Sequence, residues 1–207
     1  MIKAVLFDFD GVIGDSSKVT LGYMMKTIRH FHLPVPSIEA FEPYKGMKTI
    51  DMYRKLFPTL SEKKIDKIFL YSSEQSLKHA HKVPLFAGVI EILNKLGKSY
   101  KLALITSRGK KSLEIIFKKY QLHEHFLFVV DREDLQNHKP HPEGILRALD
   151  FFNISKDEAI FIGDSEPDVL AAHSAGIPCV LVGREHLHNA DYHIMSLTDL
   201  PALLKQL

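Results

Sequence analysis

The chain has 207 residues, enough for one ordinary domain with a large insertion or for two small domains, and its 45% hydrophobic and 25% charged residues exclude a disordered or membrane-embedded composition. Lysine and arginine number 27 against 25 acids, with no long run of one sign, which argues against a nucleic-acid surface and for a small-molecule partner. The lone Cys179 leaves no internal disulfide, and the apolar run after Met1 is too short for a signal segment or a membrane span, so a cytoplasmic protein with no membrane partner is expected.

Val5-Leu6-Phe7 is a continuous apolar run closed by Asp8, Asp10 and Gly11, the pattern of a strand buried on both faces of a parallel sheet. Residues 15–84 contain no comparable run. Apolar residues recur there at helical spacing, at Leu21, Met25 and Ile28 and again at Ile65 and Phe69, while Pro34, Pro36, Pro43, Gly46 and Pro58 break the stretch into pieces. An all-helical insertion over 15–84 is predicted. After Pro84, helical sets and buried runs alternate: Ile90, Leu93 and Leu96 precede Lys101–Ile105; Leu113, Ile116 and Tyr120 precede Phe126–Val130; Ile145, Leu149 and Phe152 precede Ala159–Ile162. Pro178–Val182 closes the series. Five strands alternating with helices predict βαβ units and an α/β fold.

Chemistry in an open parallel sheet gathers at the carboxyl ends of its strands. Asp8 and Asp10 leave the first strand two residues apart, and Gly11 permits the bend that turns both toward one site. Taken alone they fit turn chemistry equally well. Asp164 and Asp168 follow the fourth strand, where helix capping is the competing reading. Thr106, Ser107 and Arg108 follow the second strand, where they also suit the start of a helix, and Lys139 before Pro140 also suits a solvated loop. Weighed together, Asp8, Asp10, Asp164 and Lys139 at separate strand ends are costly to assemble unless a cation and an anionic ligand offset them, and hard carboxylate oxygens suit magnesium. Four histidine pairs two residues apart, His30/His32, His79/His81, His123/His125 and His186/His188, suggest zinc at first sight. That spacing shares a face only in a strand, and most of these pairs fall elsewhere.

Asp8-Phe9-Asp10-Gly11-Val12, Thr106, Lys139-Pro140 and Gly163-Asp164-Ser165 with Asp168 resemble, in order and spacing, the four motifs of haloacid dehalogenase-type phosphohydrolases. The resemblance runs to about Gly183. It implies a three-layer Rossmann-like core over 1–14 and 85–207 and a helical cap over 15–84, as in phosphoglycolate phosphatases and β-phosphoglucomutases. It also implies roles. Asp8 is expected to attack phosphorus, Asp10 to act as acid and base, and Thr106 and Lys139 to bind the phosphoryl group. Mg2+ is expected on the Asp8 carboxylate, the Asp10 carbonyl and Asp164, with Asp168 behind Lys139. For the substrate, a small phosphorylated metabolite with phosphoglycolate as first guess, the candidate contacts are Ser107, Arg108, Lys45 and Gly46. Lys45-Gly46 equally suits a solvated lysine beside a turn, and Arg108 a surface helix start. Two other readings are a sugar phosphate mutase, against which Thr20 stands where related mutases carry a hinge histidine, and a receiver-type phospho-acceptor module, which predicts no helical insertion.

Overall fold

The computed structural model describes residues 1–44, 46–183 and 189–207. The first strand, β1 (Ala4–Phe7), is buried on both faces, as its unbroken apolar sequence requires. Three helices follow before the next strand: α1 (Ser17–His30), α2 (Thr49–Leu56) and α3 (Glu62–His79). The chain then alternates through α4 (Val89–Leu96), β2 (Lys101–Ile105), α5 (Lys110–Tyr120), β3 (Phe128–Val130), α6 (Glu143–Phe152), β4 (Ala159–Gly163), α7 (Glu166–Ala175), β5 (Cys179–Val182), β6 (Tyr192–Ile194) and α8 (Leu200–Leu203).

All pairings in the sheet are parallel, in the order β3-β2-β1-β4-β5-β6. The first strand is therefore central, with β2 and β4 at its sides, and the order reverses direction there. Alternation along β1 divides the interior in two. Val5 and Phe7 join one apolar layer with Ile92 and Leu93 of α4 and Ile116 of α5; Ala4 and Leu6 join the other with Ala148 of α6 and Ala172 of α7. Helices thus cover both faces, a three-layer Rossmann-like α/β fold.

Two expectations are corrected. The sheet has a sixth strand, β6, which the apolar-run criterion passed over because Tyr192-His193-Ile194 is short and only Ile194 is buried. The third strand begins at Phe128, since the chain through Leu122–Glu124 is still a 3-10 turn and Leu127 faces solvent.

Residues 15–84 hold no strand among the described residues. Met24 and Ile28 of α1, Met52 and Tyr53 of α2, and Ile65 and Ile68 of α3 form an apolar cluster separate from the two beside the sheet. The chain leaves and re-enters at adjacent points: Gly14 bridges to Leu85, Asp15 N–H donates to Pro84 O at 2.9 Å, and Phe86 N–H to Ile13 O at 3.1 Å. Among the described residues no helix is long and apolar enough to cross a membrane.

Candidate active site

The ends of β1, β2 and β4 converge at the point where strand order reverses. Asp8 follows β1 and is buried; its backbone N–H donates to Ile162 O of β4 at 2.8 Å, which fixes the direction in which its side chain leaves the sheet. Lys139, from the loop before α6, lies 2.8 Å from Asp8 Oδ1 and 2.6 Å from Asp168 Oδ1, with only 5% of its side chain exposed. Asp168 is held in turn by the first turn of α7, where its Oδ2 accepts from the Ser165 hydroxyl at 2.6 Å and from the N–H groups of Ser165 and Asp164. It is a capping residue and a partner of Lys139 at once.

Asp164 completes the acidic centre. Carboxylate oxygens of Asp8, Asp164 and Asp168 lie within 4.8 Å of one another. Gly11 makes that approach possible: its φ of +85° suits glycine, and a Cβ there would overlap the Asp164 carboxylate. Burial, with Lys139 opposing and Asp168 and Asp10 adding repulsion, pushes the Asp8 carboxyl up to about 7. Burial followed by Asp168 and Asp8 pushes Asp164 well above the usual carboxylate range. For Lys139 burial works the other way, yet its two acidic neighbours outweigh it and hold the ammonium charged.

Asp10 is paired with Arg108. Arg108 Nε donates to Asp10 Oδ2 at 3.1 Å and Arg108 Nη2 to Asp10 Oδ1, a forked pair. Arg108 is buried, donates also to Ser112 Oγ at 3.0 Å, and lies over the Phe9 ring at 5.4 Å. Arg108, a candidate substrate contact in the sequence, lines the cleft and is also tethered to Asp10. Thr106 is buried at the end of β2, where its hydroxyl accepts from Arg108 N–H at 3.1 Å, and α5 is capped by Gly109, so Thr106 is not its cap. Ser107 and Gly46 line the same cleft as Asp8, Asp10, Arg108, Lys139 and Asp164. Lys45 lies outside the described residues.

Four carboxylates, Asp8, Asp10, Asp164 and Asp168, face two cations, Lys139 and Arg108. Asp168 has its oxygens taken by Lys139 and the helix start, whereas the Asp164 carboxylate accepts no hydrogen bond from the described residues. An excess of buried negative charge with a carboxylate left open fits a divalent cation bound through oxygen.

A parallel α/β sheet with carboxylates, a lysine and a cleft at its carboxyl edge places a candidate active site on a Rossmann-like core. Residues 5–182 match the model of the haloacid dehalogenase-like hydrolase family, and the chain belongs to that family. It is an enzyme of the phosphatase kind. Among relatives, the pyrophosphatase PpaX of Bacillus mycoides is 26% identical over all of this chain and 98% of its own length. A haloacid dehalogenase-superfamily hydrolase of subfamily IA from Geobacter sulfurreducens is 27% identical, with a TM-score of 0.75 over 98% of this chain and 96% of that one. A haloacid dehalogenase-like hydrolase from Streptococcus pneumoniae, at 23% identity, shares the fold with a TM-score of 0.85 over 98% of both chains.

Proposed function

We propose that this phosphatase is magnesium-dependent and hydrolyses a small phosphorylated metabolite through an aspartyl-phosphate on Asp8. The observation that carries the reading is the buried Asp8 carboxylate, 2.8 Å from Lys139 and within ion-sharing distance of Asp164. In this reading Asp8 attacks phosphorus in line and the bond to the leaving oxygen breaks, while Asp10 gives that oxygen a proton. Water then attacks the acyl-phosphate, and Asp10 takes back a proton. Lys139 sets a fixed positive charge beside the phosphoryl oxygens, and the Thr106 hydroxyl with the Ser107 N–H supplies donors at the end of β2. Mg2+, held by the Asp8 carboxylate, the Asp10 carbonyl and Asp164, would offset the repulsion between phosphate and carboxylates.

The division of the chain belongs to the same reading: a catalytic core of 1–14 and 85–207, and a cap of 15–84 with its own apolar cluster, hinged where Gly14 and Leu85 pair. A cytoplasmic setting is supported by the single, buried Cys179. Hydrolysis is favoured over the mutase reading by Thr20, a residue of the cleft lining with no imidazole to move a proton between sugar oxygens. Phosphoglycolate and pyrophosphate, the second named after the PpaX relative, are the first substrates to assay.

Asp8→Asn keeps the shape of the side chain and removes the nucleophile. Phosphate release from p-nitrophenyl phosphate with Mg2+ is expected to fall on the order of a thousandfold or more, with an unchanged circular dichroism spectrum. Turnover equal to that of the unaltered enzyme would sink the assignment.

A further inference from the structure

A second groove, of about 710 Å³, lies beside the cleft of Asp8 and shares only Met47 and Lys139 with it. Its walls come from distant parts of the chain. Lys48, Asp51 and Lys55 belong to α2 and its N-cap, while His138 and His141 belong to the loop that carries Lys139 into the active site.

Charge on these walls is not balanced. Among the described residues neither Lys48 nor Lys55 has an ion pair. Asp51 is the only acid of the lining, and its Oδ1 accepts from Arg54 Nη1 at 2.6 Å. Glu143, just past the loop, is occupied too, since its carboxylate accepts from the N–H groups of Gln136 at 3.2 Å and Asn137 at 2.8 Å. Lys139 is taken by Asp8 and Asp168. The ammonium groups of Lys48 and Lys55 are left without a counter-charge of their own.

The histidines add donors. His141 Nδ1 accepts from Glu143 N–H at 3.2 Å, so its ring proton sits on Nε2. His138 Nδ1 is buried and has no hydrogen-bond partner among the described residues, whereas its Nε2 is not among the buried unpartnered atoms. A proton on Nδ1 would be a buried donor with nothing to receive it, which places the proton of this ring on Nε2 as well. Burial, followed by Lys48 and Arg132, holds the His138 pKa below its ordinary value, so the ring is neutral and its Nε2–H remains a donor.

We infer that this groove is a binding site for a phosphate dianion, held by the ammonium groups of Lys48 and Lys55 and the Nε2–H groups of His138 and His141, and separate from the phosphoryl site at Asp8. Two ammonium charges match a dianion, and the oxygens of a phosphate group accept from every donor in the set. Bound there, the ion joins α2 to the loop that carries Lys139. Free inorganic phosphate and the phosphoryl group of a metabolite share this chemistry. The site goes beyond the phosphatase reading and uses none of the residues to which that reading gives a chemical step.

The test is a titration of the whole chain with inorganic phosphate and with glycerol 3-phosphate, in EDTA, slightly above neutral pH and at constant ionic strength, followed by the proton–nitrogen correlation signals of the histidine rings. Without a metal the carboxylates of Asp8, Asp164 and Asp168 repel an anion, so the catalytic centre does not compete. The His138 and His141 signals, assigned with His138→Gln and His141→Gln, are expected to shift along a saturating curve. Lys48→Ala with Lys55→Ala is expected to raise Kd on the order of tenfold or more, with an unchanged circular dichroism spectrum, because each lysine supplies a charged hydrogen bond. Lys55→Ala alone, at an exposed position of α2, should give part of that rise. Tighter binding of glycerol 3-phosphate supports the site and identifies a phosphorylated metabolite as its ligand; tighter binding of inorganic phosphate supports it and identifies the free ion. No saturating shift at either ring, an equal response to acetate, or an unchanged Kd in the double variant overturns the inference. Phosphate release from p-nitrophenyl phosphate with Mg2+, measured separately, then still decides the phosphatase reading.

Discussion

Arg108 holds Asp10 by both carboxylate oxygens, and three contacts fix it there: the fork itself, the Ser112 hydroxyl and the Phe9 ring. A planar guanidinium can satisfy all three, and an ammonium cannot. Arg108→Lys therefore keeps the charge but loses the fork, leaving the Asp10 carboxylate free to turn. Proton transfer by a positioned acid contributes about 10²–10⁴-fold, and misplacing that acid is expected to cost about 10- to 100-fold in kcat for alkyl phosphates. Much less should be lost for p-nitrophenyl phosphate, whose leaving group needs little protonation. Equal losses on both substrates would mean that Arg108 serves the fold and not the acid. The sequence carries no sign of this pairing, because the partners stand 98 positions apart and Arg108 alone looks like a helix-start cation. Asp8 and Asp164 were legible for the opposite reason. Each closes an apolar run that reads as a buried strand, Asp8 at once and Asp164 after Gly163, so the run locates the residue.

One side chain ties β5, β6 and α7 together at the edge of the sheet. Asp191, just before β6, accepts from Cys179 N–H at the start of β5 at 2.8 Å and lies 2.8 Å from His173 Nε2 on α7. Burial pushes its pKa up, but the Cys179 N–H and His173 outweigh burial and hold the carboxyl below its ordinary range. A folded-state value below the unfolded one means stability that is present above the unfolded carboxylate value, about 4, and is lost as pH falls through the lower, folded one. Asp191→Asn preserves the shape and an acceptor for Cys179 and removes the charge. With the site partly open to solvent the difference is expected to stay under about 1 kcal/mol, or some 2–4 °C in Tm at pH 7. The gap should close as the pH is lowered below the usual carboxylate range. Melting curves at a series of pH values read it directly, and a gap that widened in acid would contradict the assignment. The same edge explains why β6 escaped detection. Its register on β5 is supplied by Asp191 and by parallel pairing with Val180–Val182, not by an apolar sequence of its own. Central strands, buried on both sides, have no such freedom and are readable as runs. The helical insertion was legible as a block for a related reason, since its apolar residues keep helical spacing, but the short α2 is defined by only Met52 and Tyr53 on its buried face and left little pattern to read.

The molecule as a whole concentrates unbalanced charge at the carboxyl edge of its sheet. Asp8, Asp164 and Asp168 share a volume in which Lys139 is the near cation, and Asp8 and Asp164 are both pushed toward protonation by burial and by the neighbouring Asp168. Such a centre opposes folding unless something neutralises it, because buried like charges repel and are cut off from water. A ligand that binds the folded chain and not the unfolded one adds stability in proportion to the logarithm of its excess over Kd, about 2.7 kcal/mol at a hundredfold excess. For a chain of this length that corresponds to roughly 5–11 °C in Tm. Mg2+ is accordingly expected to raise Tm by several degrees over the value in EDTA, independently of any turnover. Asp164→Asn should act in both directions: without the metal it removes one of the crowded charges and melts higher than the unaltered chain in EDTA, and with Mg2+ it gains little. If the variant keeps the full Mg2+-dependent shift, the ion sits elsewhere, and the open carboxylate beside Gly11 has another partner.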